Sequence, residues 1–264
     1  MSASSPQVAL GPGPLDVAVL AAAGFERVVH LAEAESTMDE ARRVAADREQ
    51  PMPAAVVADR QTSGRGRRGA GWWQADGSLA ASLVIDGPPR PTWSLACGIA
   101  LAEVIRGLEP TLDVRIKWPN DLEVAGRKLA GIIVEADASG RAIFGIGVNT
   151  SGAAAAAPEG LRDRLVTLPD LTGRSIDRTR LLSALLPRLL DLVRAIDADP
   201  PELERRYRPL CSLDGRDVTI HVGAESHRGV CRGIAADGGL VIDTPAGKKT
   251  FTTGSLTPPG TEWR

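Results

Sequence analysis

The chain is poor in cysteine and in aromatic residues, and it has no excess of either charge. Its three cysteines, Cys97, Cys211 and Cys231, form no CxxC pair and have no histidine at ligand spacing. That excludes a disulfide framework and a zinc site, and it reads as reduced thiols in a cytoplasmic protein. Lys and Arg number 31 against 33 Asp and Glu, a net charge of -2. Bulk nucleic acid, which calls for a basic excess, is thereby excluded as the main partner. The longest apolar stretch, Leu95 to Ile105, is broken by Gly98 and Glu103 and is too short to span a bilayer. No Lys or Arg precedes Val8-Ala9-Leu10, and Pro12, Pro14 and Asp16 break the next segment, so no signal peptide is expected. Present instead are 43% hydrophobic and 24% charged residues, the composition of a folded globular protein. At about 100–200 residues per domain, the length allows one large domain, or a large one and a small one.

Residues 1–14 are rich in Ser, Pro and Gly and are expected to be a disordered tail. Ser36 is placed to cap a helix beginning at Thr37, with Asp39 completing a capping-box variant. Ala54 to Asp59, Leu79 to Ile85, Val114 to Trp118, Leu129 to Ala136 and Ile143 to Val148 read as strands. Thr92 to Leu108 has helical periodicity. A second long helix runs from Arg178 to Ile196, with a kink or break expected at Pro187. A short helix spans Pro201 to Tyr207. The Ala-rich stretch Thr150 to Pro158 reads as a mobile loop. After Cys211 the texture changes to short strands, Val218 to Val222, Gly229 to Ile234, Leu240 to Asp243 and Lys249 to Thr252, with a hairpin signal at Gly238-Gly239. This tail reads as a small antiparallel barrel or curled sheet. Strands grouped together, with helices inserted rather than alternating, predict an α+β fold.

The most informative stretch runs from Asp59 through Gln61-Thr62-Ser63-Gly64-Arg65-Gly66-Arg67-Arg68-Gly69 to Trp72-Trp73. Gly64, Gly66 and Gly69 satisfy the spacing of a dinucleotide loop, but that loop must open a helix whose N-terminus faces the pyrophosphate. Here a strand comes next, so the match is rejected. Glycines let the backbone approach a ligand closely, and guanidinium forks neutralise carboxylate and phosphate oxygens. The loop is therefore read as an anion-binding element. The alternatives are a solvated basic turn and a nucleic-acid loop in which Trp72 and Trp73 stack on bases; the neutral overall charge counts against the latter.

Lys117-Trp118-Pro119-Asn120-Asp121 ends a strand, because Pro119 stops regular pairing. Val124-Ala125-Gly126-Arg127 suits a hairpin turn, which brings Lys117 near Lys128 at the entrance of the following strand. Hairpin-end lysines are usually solvated. Together with the arginine loop, however, they supply the several cations that polyphosphate chemistry needs around one anion.

Taken in order, Ser36-Thr37, the loop from Gln61 to Gly69, Lys117 to Asp121, Gly126-Arg127-Lys128-Leu129-Ala130-Gly131-Ile132 and Gly145-Ile146-Gly147-Val148-Asn149 resemble the biotin protein ligases. The resemblance covers the chain from about Ser36 to Asn149, and the barrel-like tail fits it. It implies a mixed-sheet catalytic domain of the class II synthetase and lipoate-ligase kind over 15–210, and a small SH3-like β-barrel over 211–264. It also implies a two-step reaction. Biotin's carboxylate attacks the α-phosphorus of ATP, with Mg²⁺ assisting, to give biotinyl-5′-AMP and pyrophosphate. A lysine of the biotin carboxyl carrier domain of an acyl-CoA carboxylase then attacks the mixed anhydride and releases AMP.

The resemblance implies roles residue by residue. Lys128 would meet the biotin carboxylate and the bridging phosphate oxygens. Arg65 and Arg67 would clamp the anions while the loop closes over the adenylate. Lys117 and Asn120 would face the triphosphate, and Asp121 would orient the incoming carrier lysine or a Mg²⁺-bound water. Ser36, Thr37 and Gln61 would bind biotin's ureido head, with Gly64, Gly66 and Gly131 in the same site. The strand Leu129 to Val134 would form its apolar wall, and Trp72 would stack over the thiophane ring or valeryl chain. Asn149 would face the adenine, while Trp73 and Trp93 would serve the core. Met38 stands where the family often has Asn and cannot donate that polar contact. The stretch before Ser36 is too short for the DNA-binding helix-turn-helix that some members carry, so a monofunctional enzyme is expected. It would be cytoplasmic, a monomer or weak homodimer, and bound to neither DNA nor membrane. Lipoate ligases and other acyl-adenylate-forming protein ligases, which share the catalytic fold, are the alternative; the GRGRRG loop favours biotin.

Overall fold

The fold was obtained as a computed structural model, which describes residues 15–257. The expected N-terminal tail lies outside them. A seven-stranded mixed sheet forms the larger part. Its strands are β1 (Arg27–Ala34), β2 (Ala54–Gln61), β3 (Leu79–Ile85), β4 (Arg115–Lys117), β5 (Asp121–Val124), β6 (Arg127–Ala136) and β7 (Ala142–Val148), in the order β1-β2-β3-β7-β6-β5-β4. The β1–β2 pair is parallel, joined through helix α2 (Thr37–Ala46), and every other pairing is antiparallel.

The central strands are buried on both faces, and their period-2 alternation decides which layer each residue serves. Ala55 and Val57 of β2, Leu79, Ala81, Leu83 and Ile85 of β3, and Phe144 and Ile146 of β7 face the main core. Helices α3 (Trp93–Leu108) and α6 (Arg178–Ala198) cover that face. Ala54, Val56, Val84 and Ile143 face the other way, against Met38, Ala41, Val44 and Ala45 of α2. Trp93 fulfils its expected core place, 5% exposed and stacked on Phe144 at 5.9 Å between ring centroids.

Four local expectations need correction. Ser36 caps α2 by accepting the Met38 N–H at 3.4 Å, but no capping box forms, because the Asp39 carboxylate binds Arg42 at 2.7 Å and the Arg65 guanidinium instead. Helix α6 runs unbroken through Pro187; the proline lies on its exposed side, where the carbonyl deprived of a partner meets water. The Ala-rich stretch is packed, with Ala154 and Ala157 against Leu165 and the half-buried Trp73. It is tied down by the Ala154 N–H donating to Asp170 at 3.0 Å. Trp73 thus belongs to a small satellite cluster rather than to the main core.

Short helices α1 (Val17–Ala22), α4 (Glu159–Arg162), α5 (Leu168–Thr172) and α7 (Pro201–Tyr207) complete the larger part. Among the described residues, no helix is long and apolar enough to cross a membrane. The second sheet contains β8 (Asp217–Val222), β9 (Glu225–Ile234), β10 (Leu240–Thr244), β11 (Gly247–Phe251) and β12 (Ser255–Thr257). Its order is β11-β10-β9-β8-β12, all antiparallel. Among the described residues the edge strands β11 and β12 do not pair with each other; the antiparallel sheet is consistent with an SH3-like unit. It is joined to the first sheet by a buried contact: Trp118 donates its indole N–H to the Gly238 carbonyl at 2.9 Å.

Candidate active site

Sheet parity places the site. On β6 and β7 the residues facing the α2 side are Gly131 and Ile133, and Gly145 and Gly147. Their ladder register puts Gly131 opposite Gly147 and Ile133 opposite Gly145. Three glycines in that patch leave a trough in the sheet face just beyond α2. A Cβ on Gly147 would lie 2.4 Å from the Trp72 ring, and one on Gly131 would lie 3.1 Å from both that ring and the Lys128 ammonium. Trp72 therefore rests flat against a floor that only glycine allows. A Cβ on Gly145 would meet the Met38 sulfur at 2.7 Å.

The arginine-rich loop forms the roof. It folds as a narrow hairpin, with the Gly66 N–H donating to the Ala70 carbonyl at 2.6 Å and the Trp72 N–H to the Gly64 carbonyl at 2.8 Å. A single 3-10 turn, Arg67–Gly69, sits at its tip. No α-helix comes after it, which agrees with rejecting the dinucleotide reading. The cleft between loop and floor has a volume of about 340 Å³.

Most of the expected site residues meet there. Ser36, Thr37, Gln61, Arg65, Gly66, Arg67, Trp72, Lys117, Asn120, Asp121, Lys128 and Gly131 all line the cleft. Thr37 donates its backbone N–H to the Gln61 side-chain oxygen at 2.9 Å and accepts the Ser82 hydroxyl at 2.8 Å. Lys128 pairs with Asp121 at 2.6 Å and stands 5.5 Å from the Trp72 ring centroid. The two are near because β4, β5 and β6 form consecutive hairpins. Asp121 opposes Lys117 on one side and Gly131 on the other. The tight β5–β6 turn is built on Ala125 and Gly126, both at positive φ, as a two-residue hairpin demands. Arg67 donates to the Asn120 side-chain oxygen at 3.2 Å, and the Asn120 amide is fixed by the Ile132 carbonyl at 2.9 Å.

Two expected residues stand elsewhere. Gly64 is not in the lining; it packs under the loop against Gln61 and Trp72. Asn149 is 2% exposed and lies behind Lys128. Its side chain donates to the Val166 carbonyl at 3.0 Å and more weakly to the Lys128 carbonyl at 3.5 Å. Its reach is spent on the backbone that carries Lys128, and its side-chain oxygen is buried without a partner. Sequence reasoning missed Arg164, whose carbonyl accepts the Lys128 N–H at 2.9 Å and which lines the cleft. It also missed Gly254, Ser255 and Leu256 at the start of β12, which close one wall, and the contact from Arg68 to the Thr253 hydroxyl at 3.3 Å. The strand run Gly145-Ile146-Gly147 carried a signal for its part, since alternating glycines in a buried strand mark a close approach.

The electrostatics are one-sided. Among the described residues, Arg65, Arg67, Arg68, Lys117, Lys128 and Arg164 line the cleft against one carboxylate, Asp121, in a chain of net charge -2. Arg67 and Lys117 have no carboxylate within ion-pair distance among the described residues. Burial and the neighbouring Arg68 charge pull the Arg67 guanidinium below its ordinary pKa, against the opposing pull of Asp121. Like charges held together and partly desolvated disfavour one another until an anion arrives. The cleft is thus built for a polyanion next to a flat, apolar-floored compartment.

Comparison with known proteins agrees. A model of the biotin/lipoate A/B protein ligase family matches residues 33–150. The chain is 32% identical over 197 residues to the biotin–[acetyl-CoA-carboxylase] ligase of Mycobacterium tuberculosis, covering 71% of this chain and 72% of the other. It is 31% identical over 212 residues to the ligase of the same name from Paracoccus denitrificans, covering 74% and 86%. The Aquifex aeolicus biotin protein ligase in complex with biotin and ATP superposes with a TM-score of 0.78 at 26% identity, over 88% of this chain and 98% of the other. From sequence relatives, fold and cleft together, the chain belongs to the biotin protein ligase family of enzymes.

Proposed function

We propose that this enzyme activates biotin with ATP to biotinyl-5′-AMP, releasing pyrophosphate, and then passes the biotinyl group to a lysine of a biotin carboxyl carrier domain. The observation that carries this reading is the pairing of six cations and one carboxylate in one cleft with an aromatic wall, Trp72, seated on a glycine floor. Both substrates of the first step are anions. Bringing two such charges to 4 Å costs about 1 kcal/mol in water and about 4 kcal/mol in a partly desolvated site. Lys128, Arg67 and Lys117 offset that repulsion before the reaction begins, and fixed charges need no reorganisation as it proceeds.

Lys128 exchanges its Asp121 partner for the biotin carboxylate and the α-phosphate oxygens. The bicycle lies in the cleft against Trp72, which the Gly131–Gly147 floor holds in place, with Ser36, Thr37 and Gln61 at its polar end. Asp121, released by Lys128, then accepts a hydrogen bond from the incoming carrier amine. The loop hairpin from Gly64 to Trp72 covers the anhydride and keeps water from it. Arg67, held by Asn120, gives that cover a charge contact with the adenylate. Among the described residues the only carboxylate lining the cleft is Asp121, which suits a Mg²⁺ that arrives on the triphosphate and keeps most of its own waters rather than one caged by protein. When bound, that ion neutralises the pyrophosphate leaving group. We assign catalysis to residues 15–210, with residues 211–264 completing the wall through Gly254 to Leu256.

The test is pyrophosphate release from ATP with biotin, with lipoate and with neither. Release with biotin alone is expected, followed by transfer to a carrier domain. Release with lipoate alone would assign the sister activity, and no release with either would refute the adenylate reading.

A further inference from the structure

Gln74 has no part in the chemistry above and lies outside the cleft lining, yet its side chain ties together both feet of the roof loop. Strands β2 and β3 pair only as far as Ala58 and Ala80. Beyond that point β2 runs on to Gln61, while β3 begins at Leu79. The loop leaves β2 at Gln61 and returns through Trp72 and Trp73 to Gln74. In the gap where the strands part, the Gln74 side-chain oxygen accepts the Gln61 N–H at 3.0 Å. Its amide nitrogen donates to the Asp59 carbonyl at 3.1 Å and to the Ser78 carbonyl at 3.0 Å. The side chain thus stands in for a missing strand, pairing backbone groups of β2 and of the segment that enters β3. One acceptor and two donors on a planar head are what a carboxamide supplies.

The residue fixed in this way is Gln61. Its own side-chain oxygen accepts the Thr37 N–H at the start of α2, at 2.9 Å. Its amide nitrogen packs against Gly64, where an added Cβ would lie 3.0 Å away. The Gly64 carbonyl in turn holds the Trp72 N–H at 2.8 Å. Gln61 is therefore the joint between α2, the outgoing leg of the loop and the leg that carries Trp72, and Gln74 holds the backbone of that joint.

We propose that Gln74 is a positioning residue for biotin binding, acting through Gln61. It touches no reacting group. It keeps the Gln61 backbone at the height where the Gln61 side chain meets both α2 and the loop, and so sets the polar end of the compartment and the seat of Trp72 together. The proposal rests on the biotin reading given above. Substrate-holding groups displaced by about 1 Å lose much of their effect, and a strand end with no neighbour on one side has little else to hold it to that tolerance.

The test measures pyrophosphate release against biotin concentration at saturating ATP, with Tm alongside, for the full chain as wild type, Gln74→Leu, Gln61→Ala and the double variant. Gln74→Leu should raise the biotin KM about 10-fold, the order expected when a hydrogen-bonding group is displaced, with release at saturating biotin little changed. In the double variant the KM should match that of Gln61→Ala, because a residue that acts through Gln61 then has nothing left to position. An unchanged KM in Gln74→Leu, with or without a lowered Tm, would overturn the proposal, as would fold-changes that multiply in the double variant. If Gln74→Leu does not fold, Gln74→Glu carries the same test: it keeps the length and the acceptor for the Gln61 N–H but has no donor for the two carbonyls. Wild-type protein that releases no pyrophosphate with biotin would refute the biotin reading itself, and this proposal with it.

Discussion

Adding one methyl group to the cleft floor, Gly147→Ala, isolates the part Trp72 plays. The new Cβ would sit 2.4 Å from two atoms of the indole ring, a separation no relaxation of the ring in place can accommodate. Position 147 is a strand residue outside the positive-φ set, so the backbone accepts alanine; the conflict is with the ring alone. The ring therefore swings out, and biotin loses an aromatic wall worth about 1–3 kcal/mol. That energy is lost from biotin binding, roughly a 5- to 150-fold rise in Kd. Gly145→Ala is the matched control. Its Cβ meets the Met38 sulfur at 2.7 Å, but that contact is the end of a flexible side chain that moves at little cost. Calorimetric titration with biotin, with Tm measured alongside, reads both variants. Gly147→Ala should bind much more weakly than Gly145→Ala at similar stability. Wild-type affinity in Gly147→Ala would refute the placement of biotin against Trp72 as the glycine floor holds it.

The geometry sets three further outcomes. Lys128→Ala should lower biotin-dependent pyrophosphate release at least about 100-fold with an unchanged circular dichroism spectrum, since the side chain is 37% exposed; full activity would remove Lys128 from the chemistry. Arg67→Ala should leave pyrophosphate release measurable but raise the fraction of adenylate escaping into solution, and unchanged leakage in a quench assay would show that the loop does not retain the intermediate through this contact. Asp170→Asn should cost about 1 kcal/mol in urea unfolding. Burial works to raise the Asp170 pKa, but the Ala154 N–H and the Thr167 hydroxyl and N–H outweigh it and hold it below the usual carboxylate value. Its contribution is therefore present above the unfolded pKa and is lost as pH falls through the lower folded one. The wild type should converge on the variant in acid, and a constant gap between them at all pH values would contradict this.

The elements legible in the sequence are those whose burial is uniform or strictly periodic. Strands β2, β3 and β7 are apolar on both faces, and α3 and α7 have well-marked ends. Strand β1 was not legible because it is an edge. Its residues alternate between exposed and half-buried, so Arg27, His30 and Glu33 dilute the pattern. Strand β5 is four residues long and hides inside what reads as a turn. The cations of the cleft were legible because three glycines and three arginines fall in one short stretch. Arg164 and the residues from Gly254 to Leu256 were not, because they reach the cleft from far along the chain and no local pattern marks them. Asn149 shows the limit of parity. It continues the alternation of Gly145 and Gly147, but β7 ends at Val148, and beyond that point the side chain obeys its hydrogen bonds rather than the pleat.

The Trp118–Gly238 hydrogen bond bears on how the molecule comes apart. Trp118 belongs to the turn that presents Asn120 and Asp121, and its indole is buried at 3% exposure against the β9–β10 turn. Residues of the second sheet, Ile220, Cys231, Leu240 and Ile242, share one continuous apolar core with α3, α6 and the first sheet. Two sheets that share a core have little independent stability to distinguish them. Heating should therefore give a single calorimetric transition, and a chain cut at residue 210 should lose the ordered cleft along with the sheet it no longer carries.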